Sequence, residues 1–229
     1  MDNFCDVVLV GDSLGSVLYN YKSTREVSLD IMIEHSKSVR MGVKKSLMVV
    51  DMPYKSYDTS NLALKNAKKI IKETKCDAVK LEGGKKIIKQ IKHLIKNKIN
   101  VMGHLGLLPQ TAKGKFKSKG KTIKEKKQLL NDAIMLQNCG VFAIVLECVK
   151  SKTTKQITET LKIPTIGIGA GPDCDGQVLV LHDMLGITKD FSPRFLRRYA
   201  DLGESVDGAV RSYIEDVRKG DFPSEEESY

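Results

Sequence analysis

The chain has no tryptophan, and aromatic residues make up only 6% of it. No stacking platform for nucleic-acid bases is therefore visible. Its five cysteines (Cys5, Cys76, Cys139, Cys148 and Cys174) are scattered, with no CxxC pair. That spacing argues against a disulfide frame or a cysteine-rich zinc site, and it suits a reducing compartment. No apolar run reaches the roughly 18 residues of a membrane span. The start, Met1 to Asp6, is acidic and has no basic region ahead of an apolar stretch, so a signal peptide is not expected. Neither a P-loop nor an HExxH motif occurs. These absences imply a soluble intracellular protein, cytoplasmic or mitochondrial, with neither nucleic acid nor membrane as partner.

What is present is apolar patterning and positive charge. Hydrophobic residues make up 41% of the 229 residues, enough for a sizeable core. The net charge is +10, and fifteen lysines lie between Lys80 and Lys127. Solvated helix faces and one basic loop account for them more simply than an anionic partner does.

Four short apolar runs end in a carboxylate: Val7 to Asp12, Leu47 to Asp51, Ala78 to Glu82 and Phe142 to Glu147. Runs of this length read as buried parallel strands. Three more follow the pattern, at Ile99 to Gly103, Ile163 to Gly169 and Gln177 to His182. Helical periodicity separates them, at Leu62 to Thr74, Lys85 to Lys98, Lys126 to Asn138 and Thr153 to Leu161. Alternating strands and helices imply βαβ units and a parallel sheet. Seven strands are countable, one short of a (β/α)8 barrel, and a doubly wound open sheet competes. No linker divides the chain. Lys113 to Lys127 reads as a long loop, Ser205 to Lys219 as a helix, and residues from about 220 to 229 as a mobile acidic tail.

Acids at the C-terminal ends of parallel strands sit where α/β folds place their chemistry. Asp12 and Asp51 either cap the following helices or share a cation, since adjacent carboxylates repel unless a cation or proton lies between them. Hard oxygen donors suit Mg²⁺. Lys80 alternates with Val79 and Leu81, so it points into an interior and needs an acidic or anionic partner. Glu82 ends that strand, and Gly83 and Gly84 either let the backbone approach a ligand or simply make a turn beside a structural salt bridge. Glu147 follows an apolar run, which either equips its carboxylate as a general base near neutral pH or leaves it a paired structural acid at a strand end. Cys148 lacks an evident base and reads as a small buried thiol. His104 either binds a ligand or, more commonly for a lone histidine, a backbone carbonyl. Gly167, Gly169 and Gly171 suit a tight turn, because Pro172 breaks the dinucleotide-binding pattern.

Taken together, these segments resemble the ketopantoate hydroxymethyltransferase family. The matching stretches are Val10 to Gly15, Asp51 to Tyr54, Val79 to Gly84, Gly103 to Leu107 with Pro109-Gln110, Val145 to Val149, and Ile166 to Gly171 with Asp175 to Leu179. They keep the family's order over nearly the whole chain. The resemblance implies a single (β/α)8 TIM-barrel domain over residues 1–229, lacking the strand and helix that precede the Val-Gly-Asp-Ser strand in the family. It implies Mg²⁺-dependent hydroxymethyl transfer from 5,10-methylenetetrahydrofolate to 3-methyl-2-oxobutanoate, in a homo-oligomer. Asp12 and Asp51 would bind the metal with Glu82 nearby. Asp12, Ser13, Asp51 and Lys80 would hold the keto acid, and Glu147 would be the base. Gly114-Lys115-Phe116 matches the family's Gly-Gly-aromatic segment only loosely. A non-catalytic metabolite-binding relative or partner subunit, and another Mg²⁺-dependent 2-oxo acid barrel enzyme of the phosphoenolpyruvate mutase or isocitrate lyase type, are the alternatives.

Overall fold

In a computed structural model, residues 2–112 and 117–229 are described. The loosely matching Gly114-Lys115-Phe116 lies outside the described residues, as does the start of the expected basic loop at Lys113. The seven strands are β1 (Val7–Val10), β2 (Leu47–Asp51), β3 (Ala78–Glu82), β4 (Val101–Gly106), β5 (Ala143–Glu147), β6 (Thr165–Ile168) and β7 (Gly176–Gln177). They form one parallel sheet in chain order. The parallel α/β sheet is as expected. A closed barrel is not what the described strands form, since β1 and β7 are the two edges.

The helices are α1 (Leu14–Leu18), α2 (Leu29–Gly42), α3 (Ser60–Thr74), α4 (Ile88–Lys96), α5 (Ile123–Cys139), α6 (Ser151–Thr160), α7 (Leu181–Met184) and α8 (Leu202–Lys219). Local chemistry starts and stops them. Thr59 caps α3 by accepting the Leu62 N–H, and Lys75 ends it in the left-handed region. Thr122 and Glu125 form a capping box on α5, and Gly140 closes it with φ 96°. This start puts α5 three residues earlier than the periodicity suggested and shortens the expected basic loop. Lys119 also makes an isolated bridge to Val149.

Two elements depart from expectation. The periodicity at residues 29–42 went unread, yet Ser28 caps α2 through the Ile31 N–H and buries Met32 and Ile33. The run Gln177 to His182 is not one strand: β7 ends at Gln177, and α7 begins at Leu181. A short apolar run suits either element.

Side chains divide by strand parity. Val10, Met48, Val50, Val79, Leu81, Val101, Ile144 and Leu146 join the larger apolar cluster, which includes helix residues Ile70, Ile91, Leu94 and Leu136. The opposite face carries a smaller cluster of Val49, Ala78, Met102, Ala143 and Val145, flanked by Val7, Leu9, Ile166 and Ile168. The described residues fall into two compact units, one ending at Val178 and the other Leu179–Tyr229. Within the second, Asp201 caps α8 through the Glu204 N–H, and Lys189 pairs with Glu204 and Asp207.

Candidate active site

The same parity that builds the small apolar cluster continues to the C-terminal strand ends. Past Val49, Ala78, Met102 and Val145 on that face come Asp51, Lys80, Glu82, His104 and Glu147. Strand register sets Asp51 beside Lys80, Glu82 beside His104 and Gly106 beside Glu147. Gly106 has φ +96°, and a Cβ there would strike the Glu147 carbonyl, so only glycine lets β4 and β5 lie this close.

Asp12 lies just past β1, and its N–H donates to Asp51 Oδ2 at 3.1 Å. Neither acid caps a helix. The position opening α1 is Ser13, which makes no side-chain capping bond, and α3 is capped by Thr59. Lys80 Nζ lies 3.1 Å from Asp51 Oδ1. The angles of that contact fall outside hydrogen-bond geometry, leaving Oδ1 without a hydrogen-bond partner. Lys80 is buried, which works against its charge, but Asp51, Glu82 and Asp12 outweigh this and hold the ammonium above its ordinary value. Burial, then Asp51, pushes Asp12 up to about 7. Burial pushes Glu82 up to about 8, with Lys80 opposing.

His104 is the residue that sequence reading ranked wrongly. Its ring binds no backbone carbonyl. Nδ1 lies 3.0 Å from Lys80 Nζ, and Nε2 lies 3.3 Å from Glu147 Oε2. An ammonium only donates, so Nδ1 accepts and the ring proton sits on Nε2, facing Glu147. Nε2 is close to the carboxylate but lacks hydrogen-bond alignment with it. Burial, then Lys80, holds the imidazole below its ordinary value and therefore neutral. Asp51, Lys80, His104 and Glu147 thus form one continuous chain of contacts.

The family-model comparison decides the affiliation. The model described as ketopantoate hydroxymethyltransferase matches residues 1–225. The chain belongs to the ketopantoate hydroxymethyltransferase family. A relative from Pelagibacter ubique named 3-methyl-2-oxobutanoate hydroxymethyltransferase is 60% identical, covering all of this chain and 88% of its own length. One of the same name from Acetivibrio thermocellus is 50% identical over 98% of this chain and 80% of its own. Among solved structures, 2,3-dimethylmalate lyase, a member of the PEP mutase/isocitrate lyase superfamily, matches with TM-score 0.59 at 12% identity, covering 97% of this chain and 78% of that one. Phosphonopyruvate hydrolase matches with TM-score 0.61 at 10% identity, covering 98% and 82%. At these identities the likeness is one of fold.

In this member of the ketopantoate hydroxymethyltransferase family, the predicted residues Asp12, Asp51, Lys80, Glu82 and Glu147 come together as described, with Ser13 directly after Asp12. Gly84 is required by packing. A Cβ there would strike Asp132 of α5, whose carboxylate accepts the Lys85 N–H at 3.1 Å. Cys148 is half-buried, and burial, then Glu147, pushes its thiol up to about 11, which disfavours it as a nucleophile. Two residues went unread. Gln110 Nε2 donates to Asp12 Oδ2 at 2.8 Å, and the Tyr57 hydroxyl donates to Gln110 Oε1 at 2.5 Å. Neither has a strand or helix pattern to mark it; only the Pro109-Gln110 match to the family pointed there.

Among the described residues, no group of three or more His, Cys, Asp or Glu stands arranged to hold a metal ion. The electrostatics nonetheless fit a divalent cation. Asp12, Asp51 and Glu82 are all buried against one ammonium, and Asp51 Oδ1 has no hydrogen-bond partner. No helix among the described residues is long and apolar enough to cross a membrane.

Proposed function

We propose that this chain transfers a hydroxymethyl group from 5,10-methylenetetrahydrofolate to 3-methyl-2-oxobutanoate, giving 2-dehydropantoate for pantothenate and coenzyme A synthesis. The observation that carries this reading is the contact chain from Asp51 through Lys80 and His104 to Glu147, in a member of this family. Asp12 and Asp51 would hold Mg²⁺, with Glu82 behind them, and Asp12, Ser13, Asp51 and Lys80 would position the keto acid. When bound, the ion supplies Lewis-acid polarisation of the substrate carbonyl.

The residues then divide the remaining work. Glu147 takes the C3 proton. His104, neutral and protonated on Nε2, turns that N–H toward the Glu147 carboxylate 3.3 Å away and so favours one orientation of it. One N–H of the Lys80 ammonium donates a hydrogen bond to His104 Nδ1, and its other N–H groups can face the negative charge that develops on the substrate oxygen. Water hydrolyses the folate-borne methylene to formaldehyde, breaking its C–N bonds and freeing tetrahydrofolate. The enolate carbon C3 then adds to that aldehyde, whose oxygen takes up a proton to become the hydroxyl of the product. The apolar floor of Val49, Ala78, Met102 and Val145 keeps water from below the reacting atoms. A (β/α)8 barrel and a homo-oligomer accompany this reading as family traits.

Proton NMR of 3-methyl-2-oxobutanoate in D₂O, with enzyme and Mg²⁺ but no folate, tests the first half. Loss of the C3 proton signal that needs Mg²⁺ is the expected result. Keto-acid binding without exchange would instead mark a binding-only relative. Exchange that never leads to hydroxymethyl transfer once folate is supplied would indicate a different 2-oxo acid enzyme.

A further inference from the structure

Gln110 sits in the segment after β4 and is 1% exposed. Its amide nitrogen donates to Asp12 Oδ2 at 2.8 Å and to the Met52 carbonyl at 2.9 Å. Its amide oxygen accepts from the Tyr57 hydroxyl. Its backbone N–H donates to Glu82 Oε2 at 3.1 Å. A flipped amide would set an oxygen against the Asp12 carboxylate and the Met52 carbonyl, so only one orientation satisfies the site. Both amide protons are engaged within the protein, and Gln110 therefore has none to give a substrate. What it does is join the turn after β1, the end of β2 and the end of β3.

The Gln110 segment is itself held from outside. Arg25 Nε donates to the Gln110 carbonyl at 2.7 Å, and its Nη2 donates to the Ala112 carbonyl at 3.0 Å. The guanidinium lies 5.3 Å above the Tyr54 ring. Its planar fork suits two neighbouring carbonyls in a way a lysine cannot match. Arg25 stands on a short 3₁₀ turn whose capping box, Ser23 with Glu26, fixes its start.

We propose that Gln110 is a positioning residue that locks the Asp12 and Glu82 carboxylates for a divalent cation, and that Arg25 holds Gln110 in register. The proposal rests on the reading of Asp12 and Asp51 as cation ligands. A carboxylate with one oxygen already hydrogen-bonded presents the rest of the group in a fixed direction, and such outer partners typically govern metal affinity.

Calorimetric titration of Mg²⁺ into the full chain tests this, comparing wild type with Asp12→Asn, Gln110→Ala and Arg25→Ala. Gln110→Ala is expected to weaken Mg²⁺ binding about 10- to 100-fold, and Arg25→Ala about 3-fold. At saturating Mg²⁺, Gln110→Ala should recover most of its kcat, a split that a merely structural lesion does not give. Wild-type Mg²⁺ affinity in Gln110→Ala, alongside loss of binding in Asp12→Asn, overturns the proposal and leaves the ligand reading standing. Wild-type affinity in Asp12→Asn overturns the ligand reading, and the proposal falls with it. Should Gln110→Ala fail to fold by circular dichroism, Arg25→Ala at an exposed position decides, and unchanged affinity there overturns the proposal.

Discussion

The strand-end acids form two unlike neighbourhoods. At the β1–β3 end, Asp51 and Glu82 have side chains 5% and 3% exposed and crowd with Asp12 around Lys80. At the β5 end, the Glu147 side chain is 19% exposed and faces a neutral histidine. In sequence these acids look alike, each closing a short apolar run. The difference comes from the partner nearest each group: the Lys80 ammonium of β3 sits among Asp12, Asp51 and Glu82, whereas Glu147 faces the imidazole of β4. One end is built to concentrate negative charge, and the other to leave a single carboxylate free to take up a proton.

The sharpest way to break this contrast is at Glu147. Replacing it with glutamine is expected to lower turnover roughly 10²- to 10⁴-fold, while Mg²⁺ affinity by calorimetry stays as in wild type. Near-normal steady-state activity would remove Glu147 from its role. Next in size is His104→Gln. Losing the hydrogen bond from the Lys80 ammonium to Nδ1 costs about 1.5–3 kcal/mol, or roughly 10- to 100-fold in the C3 exchange rate. An unchanged rate would mean that the Lys80–His104–Glu147 contacts do not serve proton transfer.

A third prediction concerns pH. Asp12 and Glu82 are raised to about 7 and about 8, so each stabilises the fold while protonated. That contribution is complete below the unfolded-state value and is lost as pH rises through the folded one. Without divalent cation, lowering pH from about 8 to about 6.5 should therefore raise Tm by about 2–6 °C in scanning calorimetry. His104, held below its ordinary value, has the opposite sign and opposes the gain below about 6.5. Saturating Mg²⁺ should flatten the slope, and a slope that persists with Mg²⁺ would remove the special character of the β1–β3 end. The smallest expected effect is that of Cys148→Ser, within about 2-fold of wild-type turnover, as suits a thiol that stays protonated. A larger loss would bring Cys148 into the chemistry.

How much of this the sequence revealed follows from the range of the signals involved. Asp51, Glu82 and Glu147 were legible because each interrupts an apolar run at a strand end. Lys80 was legible from parity alone. The role of His104 depends on the register of β3, β4 and β5, which no single strand encodes. Gln110 and Tyr57 lie in irregular segments and act across 98 and 53 positions of chain, so periodicity has nothing to say of them. Leu181 was assigned to a strand because Val178 to Leu181 has no polar residue to set its period, and the residue instead opens α7.

The apolar layer of Val49, Ala78, Met102, Ala143 and Val145 acts as an insulator. A pair of charges 4 Å apart interacts by about 1 kcal/mol in water and about 4 kcal/mol at the effective permittivity of a protein surface. Each charge contact above this layer gains strength because no solvent shields it from beneath. A hydroxyl introduced at Val145 would admit that shielding from below and weaken the whole cluster together, without touching one of its charged groups.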